Sequence, residues 1–504
     1  MKQNHSEEIA RRKAEIEGRL ARDCWPSKGG RVFAGGNEEL EVSRRTVATS
    51  MGGIGLVHRL VRQIGLPQLI DDAVRVFKAH CPYTESDHVL NIAYNIVCGG
   101  RTLDDIEQRR QDAAYMDSLG AVRIPDPTTA GDFLRRLDRE RIDALSEAIN
   151  SARIRVWKKN KRSFFERALI DVDGTIAGTQ GECKEGMDMS YKGIWGYAPL
   201  LVTLANTGEI LYTRNRPGNR PSHEGCFGYL DPAVELVREA GFRRVRLRGD
   251  GHFSLTDDFD YWSEQKVEFV FGLPAHPKLV ALAEGLEEGK WRPLVRDKGV
   301  REGRRGRRKP RVKQAIIEER GYKNLELEQE EYTEFAYRPT KCSRDYRVVV
   351  LRKTINVRQG QDLLIPEIRY HFTITNVARS ELSARQVIRT ANDRCNQENL
   401  IEQAKNGVHA MRMPCDTLLA NDAYMLIACL AWNLKAWIAQ LWPDREQGEE
   451  LRRMEFRRFV ASVIALPCQV LRTGRRIVLR FLGFSTWLEP MLRAHQRFKS
   501  LVFT

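Results

Sequence analysis

The sequence predicts an α/β protein built on a mixed sheet, flanked by helical regions, and three observations carry that expectation. Beyond Phe164, short apolar runs alternate with amphipathic stretches. The first runs are joined by a tight turn and the later ones by helices, an order that makes a mixed sheet with helices on its faces. From about 50 to 150, by contrast, apolar residues recur at three- and four-residue intervals: Ile54, Leu56, Val57, Leu60 and Val61, then Val89, Leu90, Ala93 and Ile96.

A chain of 504 residues with 42 % apolar content exceeds one ordinary domain and can bury real cores. Its 82 Lys and Arg against 67 Asp and Glu leave a formal charge of +15, which favours a polyanionic partner through phosphate contacts and counterion release. No run reaches the ~20 apolar residues of a membrane span. The best stretch, Tyr424 to Trp442, is interrupted by Asn433 and Lys435. The first residues are charged (Glu7, Glu8, Arg11, Arg12, Lys13, Glu15) and lack the pattern of a secretory signal. A cytoplasmic protein with no membrane association is expected. Ten scattered cysteines without a C-x-x-C pair read as reduced, mostly buried thiols.

In order along the chain, residues 1–45 read as a basic, flexible arm, with Gly29, Gly30, Gly35 and Gly36 breaking any helix. Residues 46–160 read as a helical, DNA-binding region decorated by Arg101, Arg109, Arg110, Arg135, Arg136, Arg139 and Arg141. Within it, Asp126-Pro127-Thr128-Thr129 marks a helix start. Residues 161–287 form the first part of the α/β core. Its expected strands lie at 168–170, 200–204 and 210–212, with Asn206-Thr207-Gly208 turning the hairpin, then at 245–247 and 268–271, separated by helices. Residues 288–378 read as a β-rich insertion. It holds eight basic residues between Arg301 and Lys313, an acidic stretch from Glu326 to Glu334, and strand alternation at 346–351 and 368–374. Within the basic run, Arg304, Arg305, Arg307, Arg308 and Lys309 are either a solvated loop or a DNA backbone contact. Residues 379–445 return to the core as helix, and 446–504 close the chain with helix and a hairpin around Thr473-Gly474.

Three motifs carry chemistry. Asp171-Val172-Asp173-Gly174-Thr175 ends an apolar strand, and Arg248-Gly249-Asp250-Gly251 ends another, its glycines allowing the backbone close to a ligand. The third is helical: ~100° per residue places Arg394, Glu398 and Lys405 within about 40° of one another. Separately, these are ordinary strand-end acids and an exposed stripe of helix charge pairs. Together, carboxylates from two strand ends and a helix can hold two hard divalent ions for in-line displacement at phosphorus, and Mg²⁺, which keeps water and phosphate in its shell, suits such a set. Pattern alone does not separate Asp171 from Asp173.

The order Asp-Gly-Thr, strand-ending Asp and R-x3-E-x6-K helix resembles the DDE transposases of bacterial insertion sequences, the branch with a Tyr, Arg, Glu, Lys signature, and within it the group numbered thirteen-eighty. The resemblance runs from about 50 to 480 and takes in Arg216-Pro217-Gly218-Asn219 and the Pro-Thr-Thr segment near 127. It implies an RNase H-like core, interrupted by the β-rich insertion, with Asp173, Asp250 and Glu398 as catalytic, metal-binding residues and Arg394 and Lys405 on phosphate. It also implies two Mg²⁺ ions, for which Mn²⁺ substitutes, and double-stranded DNA, both terminal inverted repeats and target, bound by a homodimer. The signature Tyr falls at Ala391, a departure that bears on DNA positioning. Trp291 could stack on a flipped base, although a packed ring is the plainer reading.

Two rivals remain. A phosphatase of the haloacid dehalogenase type matches Asp171 to Thr175, with Asp171 as nucleophile and Asp173 as general acid, but expects an Asp at Ser254 and leaves Arg394, Glu398 and Lys405 unexplained. A decayed transposase that still binds DNA is the other.

Overall fold

The computed structural model describes residues 5–21, 39–43, 46–77, 82–295, 315–316, 319–321, 323–360, 362–474 and 476–503. The basic run from Arg301 to Lys313, with Arg304, Arg305, Arg307, Arg308 and Lys309, lies outside the described residues, as do the four glycines near residue 30.

The alternation in Ala168-Leu169-Ile170-Asp171-Val172-Asp173 dictates a two-faced strand. β1 (Arg167–Gly174) turns Ala168, Ile170 and Val172 to an apolar core and Asp171 and Asp173 to the other side. β4 (Arg244–Gly249) repeats the pattern, with Val245 and Leu247 in that core and Arg246 and Arg248 opposite. β2 (Leu200–Leu204), β3 (Glu209–Arg214) and β5 (Glu268–Leu273) complete the expected strands. β6 (Arg292–Pro293), β7 (Lys323–Tyr337), β8 (Tyr346–Gln359) and β9 (Asp362–Thr375) follow.

Among the described residues these form one nine-stranded sheet in the order β6-β7-β8-β9-β5-β4-β1-β2-β3. β4 runs parallel to both β1 and β5, while β2 and β3 pair antiparallel. The β-rich stretch after 288 is therefore not a sheet of its own, because β9 pairs antiparallel with β5 and continues the core sheet. Its acidic run finds partners across the strands, with Glu331 2.7 Å from Arg352 and Glu334 2.5 Å from Arg347.

Helices cover both faces. α9 (Phe227–Glu239) and α10 (Phe259–Glu264) bury Leu230, Val234, Val237 and Trp262 on the apolar face, and α11 (Pro277–Glu284) follows β5. On the other face, α12 (Ala384–Asn392), started by a Ser383 capping box, packs Val387 and Ile388 on Val270, Val349 and Leu351.

The helical region comprises α2 (Ile54–Ile64), α3 (Leu66–Ala73), α4 (Glu85–Val97), α5 (Ile106–Arg110), α6 (Ala113–Leu119), α7 (Pro127–Arg135) and α8 (Arg139–Trp157). Asp126 caps α7 as expected, accepting from the Thr129 N–H. Several of its arginines serve internal contacts: Arg109 donates to the Cys98 carbonyl, Arg139 to Asp422, and Arg135 to Asp416. One correction falls in the N-terminal arm, where residues 5–20 form α1 (His5–Leu20), whose Arg12 donates to the carbonyls of Phe481 and Gly483.

The expected helix beyond 390 is broken. α12 ends at Asn392, and α13 (Cys395–Glu402) begins afresh after Arg394. A π-turn then widens Gln403–Gly407. α14 (Leu418–Gln440) is apolar nearly all round and is accordingly buried. Its Asn433 brackets Ile210, accepting from the N–H at 2.9 Å and donating to the carbonyl at 2.8 Å. Buried Glu209 accepts from Arg153, Trp157, Trp437 and Gln440, tying β3 to α8 and α14. α15 (Arg445–Arg453), α16 (Phe456–Phe459), the hairpin β10 (Cys468–Thr473) and β11 (Arg476–Phe481), and α17 (Leu488–Ser500) complete the chain. Among the described residues no helix is long and apolar enough to cross a membrane.

Candidate active site

The parallel register of β1 and β4 pairs Asp171 with Arg248. Arg248 fills the space between them, its Nε and Nη2 donating to the two carboxylate oxygens of Asp171 at 2.6 and 2.7 Å. Asp171 is 1 % exposed. Burial pushes its carboxyl up, and the hydrogen bonds and charge of Arg248 oppose that shift. Its oxygens are thus committed to a buried, two-pronged ion pair. The remaining Arg248 nitrogen, Nη1, donates to the Thr390 carbonyl at 3.2 Å and ties the strand to α12.

The same register continued by two residues brings Asp250 alongside Asp173, one pleat beyond the ion pair, where the strands end and neighbouring chains are ~4.8 Å apart. Asp250 caps the turn Gly251–Phe253, its Oδ1 accepting from the His252 N–H at 2.9 Å. Gly249 serves packing here and not ligand approach: a Cβ would stand 2.8 Å from the Phe271 ring and 2.9 Å from Phe253.

Arg394 occupies the turn between α12 and α13, with Nη2 3.7 Å from Asp173 Oδ2. Glu398 is exposed in the first turn of α13, and Lys405 lies in the π-turn. The single-helix projection therefore fails at both ends, yet the three residues still converge on Asp173. That carboxyl is pushed up to about 6 by burial; Arg394 pulls it down, and Asp250 and Glu398 push it further up. Burial lowers Lys405, with Glu402 and Asp173 opposing and Lys192 adding to the shift.

The donor chemistry suits a hard divalent cation, because crowding of carboxylates around Asp173 is the charge that such an ion would neutralise. Among the described residues no three His, Cys, Asp or Glu side chains are grouped closely enough to enclose an ion as they stand. Glu398 is exposed in the first turn of α13, and its charge acts on Asp173.

Two sequence candidates fall elsewhere. Trp291 is buried, with the Arg352 guanidinium 4.2 Å from its ring centre and Tyr370 beside it, a packed ring and not an open platform. Ala391, at the place of the signature Tyr, packs against the core under α12. Sequence reading also missed Gln397. It is 2 % exposed, and both polar atoms of its amide lack a hydrogen-bond partner, as does Arg394 Nε. Buried unpaired polar atoms of this kind mark positions that a ligand can satisfy.

Comparison with known proteins places these features in a family. No curated protein sequence matches the chain. Among solved structures, a cryo-electron microscopy structure of a piggyBac transposase synaptic complex with hairpin DNA is similar at 9 % identity and a TM-score of 0.35, over 83 % of each chain. A family model described as transposase DDE domain group 1 matches residues 39–502. The match spans the helical region, the sheet, both strand-end acids and the helix with Glu398, and the chain belongs to the transposase DDE domain family, group 1.

Proposed function

We propose that this protein is an insertion-sequence transposase that cuts DNA at an element's terminal inverted repeats and joins the freed ends to target DNA, with Asp173, Asp250 and Glu398 as its Mg²⁺ ligands. The observation that carries this reading is the convergence of two strand-end aspartates, Arg394 and the α13 glutamate on one edge of the sheet. The hairpin-then-parallel strand order supports an RNase H-like core.

Divalent ions held by the three carboxylates would neutralise the scissile phosphate and lower the pKa of bound water. The chain's own residues do the rest. Asp173 and Asp250 would supply two donors from strand ends, and Glu398 a third from the first turn of α13. Arg394 and Lys405 carry positive charge to the phosphates beside them. Arg248 acts one step back, by pinning Asp171 and Thr390 so that β1 and α12 keep their spacing. Cut-and-paste joining of two ends requires two chains on DNA, and the +15 charge supplies the attraction. The haloacid dehalogenase alternative needs Asp171 as a free nucleophile, and Arg248 occupies both of its oxygens.

The test is incubation of the purified protein with Mg²⁺ and DNA carrying the parent element's ends. End-specific cleavage that disappears in Asp250→Ala and Glu398→Ala supports the proposal. Cleavage that survives Glu398→Ala overturns the triad, binding without any cleavage by the native protein identifies a decayed transposase, and Asp171-dependent hydrolysis of a small phosphate ester installs the phosphatase.

A further inference from the structure

Between β1 and β2 the chain makes an excursion whose two ends meet at Asp173. Thr175 donates to the Pro199 carbonyl, and Leu201 is the register partner of Asp173 itself. The excursion is a small sheet in which Trp195–Tyr197 pairs with Ala177–Gly178 on one side and Asp188–Met189 on the other. Its tip is a tight turn, Ser190 to Ile194, closed by two backbone hydrogen bonds of 2.9 Å. At this tip Tyr191 is 79 % exposed and Trp195 44 % exposed, and the Lys192 ammonium lies 5.5 Å from the Tyr191 ring centre.

The sheet is braced from behind. Buried Arg216 donates to the carbonyls of Ala198 and Glu224 at 2.9 and 2.7 Å, and Pro217 bridges to Tyr197. Gly218 sits so close that a Cβ would fall 2.2 Å from the Asp188 carbonyl oxygen and 2.3 Å from that of Gly196. The Arg216-Pro217-Gly218-Asn219 segment, singled out from sequence without a role, is thus the buttress of this flap. At its base the Tyr197 hydroxyl donates to the Glu185 carbonyl, and Glu185 accepts from the N–H that opens α14.

Open aromatic faces on a rigid support beside a cation match one ligand chemistry in particular: bases that have lost their stacking neighbours, attached to a phosphate backbone. The excursion leaves and rejoins the sheet beside Asp173, so it stands on the same edge of the sheet as the proposed metal ligands. We infer that the Tyr191–Trp195 tip is a stacking site for unpaired deoxynucleotides next to the cut phosphate, with Lys192 on the adjoining backbone. This rests on the transposase reading above and adds the residues that hold the opened strand.

The test compares binding of the full-length protein to two DNA duplexes carrying the parent element's end, one intact and one with unpaired nucleotides at the cut. The unpaired position holds 2-aminopurine, whose fluorescence is quenched by stacking. The native protein quenches the probe, while Trp195→Ala and Tyr191→Ala abolish quenching and weaken binding of the opened duplex about tenfold. They leave affinity for the intact duplex and the melting temperature unchanged, and Trp195→Phe restores most of the loss. Quenching that persists in both alanine variants, or equal weakening on both duplexes, overturns the stacking site. A native protein that binds end-bearing DNA no better than unrelated DNA overturns the transposase reading, and the inference with it.

Discussion

Asp171 and Asp173 lie two residues apart on one face of one strand, and the structure assigns them opposite consequences on substitution. Asp171 and Arg248 are both almost wholly buried and joined by bonds of 2.6 and 2.7 Å. Removing one partner of such a pair leaves an uncompensated charge and costs about 3–5 kcal/mol, a large part of the ~5–15 kcal/mol that holds a domain folded. Asp171→Ala is therefore expected to lower the urea midpoint sharply and to lose activity only with the fold. The double variant Asp171→Leu/Arg248→Met, which removes both charges and keeps the volume, should recover most of that loss. Asp173→Asn behaves in the opposite way. Its carboxyl, pushed up to about 6, binds a proton more readily folded than unfolded. The stability this group contributes is present below pH 4 and is lost as pH rises through 6. In EDTA at neutral pH, Asp173→Asn should thus be more stable than the native protein, by on the order of 1–3 kcal/mol, with the difference vanishing near pH 4. Its cleavage of end-bearing DNA should be abolished. Urea titration and a Mg²⁺ cleavage assay on the same four proteins decide the matter. An Asp171→Ala protein that is fully stable yet inactive would refute the reasoning, because Asp171 would then be acting in the chemistry.

Two further expectations concern the scaffold. Glu209 is fully buried and accepts from Arg153 and three other side chains. Glu209→Ala should cost about 3–5 kcal/mol in urea unfolding, and a loss under about 1 kcal/mol, the worth of one ordinary net hydrogen bond, would show that the hub carries little of the fold. Lys435 is pushed down to about 7 by burial, against an ordinary value of 10.5. The unfolded chain then binds more protons between pH 7 and 10.5, so stability should rise with pH across that window, and Lys435→Met should flatten the slope.

How much of this was legible in the sequence differs from element to element. The alternation around Asp171 and around Arg248 fixes two-faced strands, and the five core strands appear where the sequence places them. The same alternation contains the ion pair, since Arg248 precedes Asp250 by the two residues that separate Asp171 from Asp173. Only the parallel register turns that coincidence into a contact. The helix with Glu398 was misjudged in geometry because its breaks come from tertiary contacts. Arg248 holds the Thr390 carbonyl beside the first break, and the Gln403 side chain accepts from the Phe456 N–H at the second. The continuity of β7–β9 with the core sheet was hidden for a similar reason, because strand partnership across a hundred residues leaves no local trace. Trp291 is the packed ring that the plainer sequence reading expected, although sequence alone does not show its cover, which here is Arg352. The flap tip went unread because exposure, not pattern, is what distinguishes Tyr191 and Trp195 from core aromatics.

The central claim is that three carboxylates from separate elements hold the divalent ion, and a change of ligand chemistry tests it most directly. Glu398→Cys replaces a hard oxygen donor with a thiolate, which binds Mg²⁺ poorly and softer divalent ions better. Measured on end-bearing DNA, its cleavage should be lost in Mg²⁺ and partly restored in Mn²⁺. Full cleavage in Mg²⁺ by Glu398→Cys, or an equal loss in both metals, would contradict Glu398 as a metal ligand.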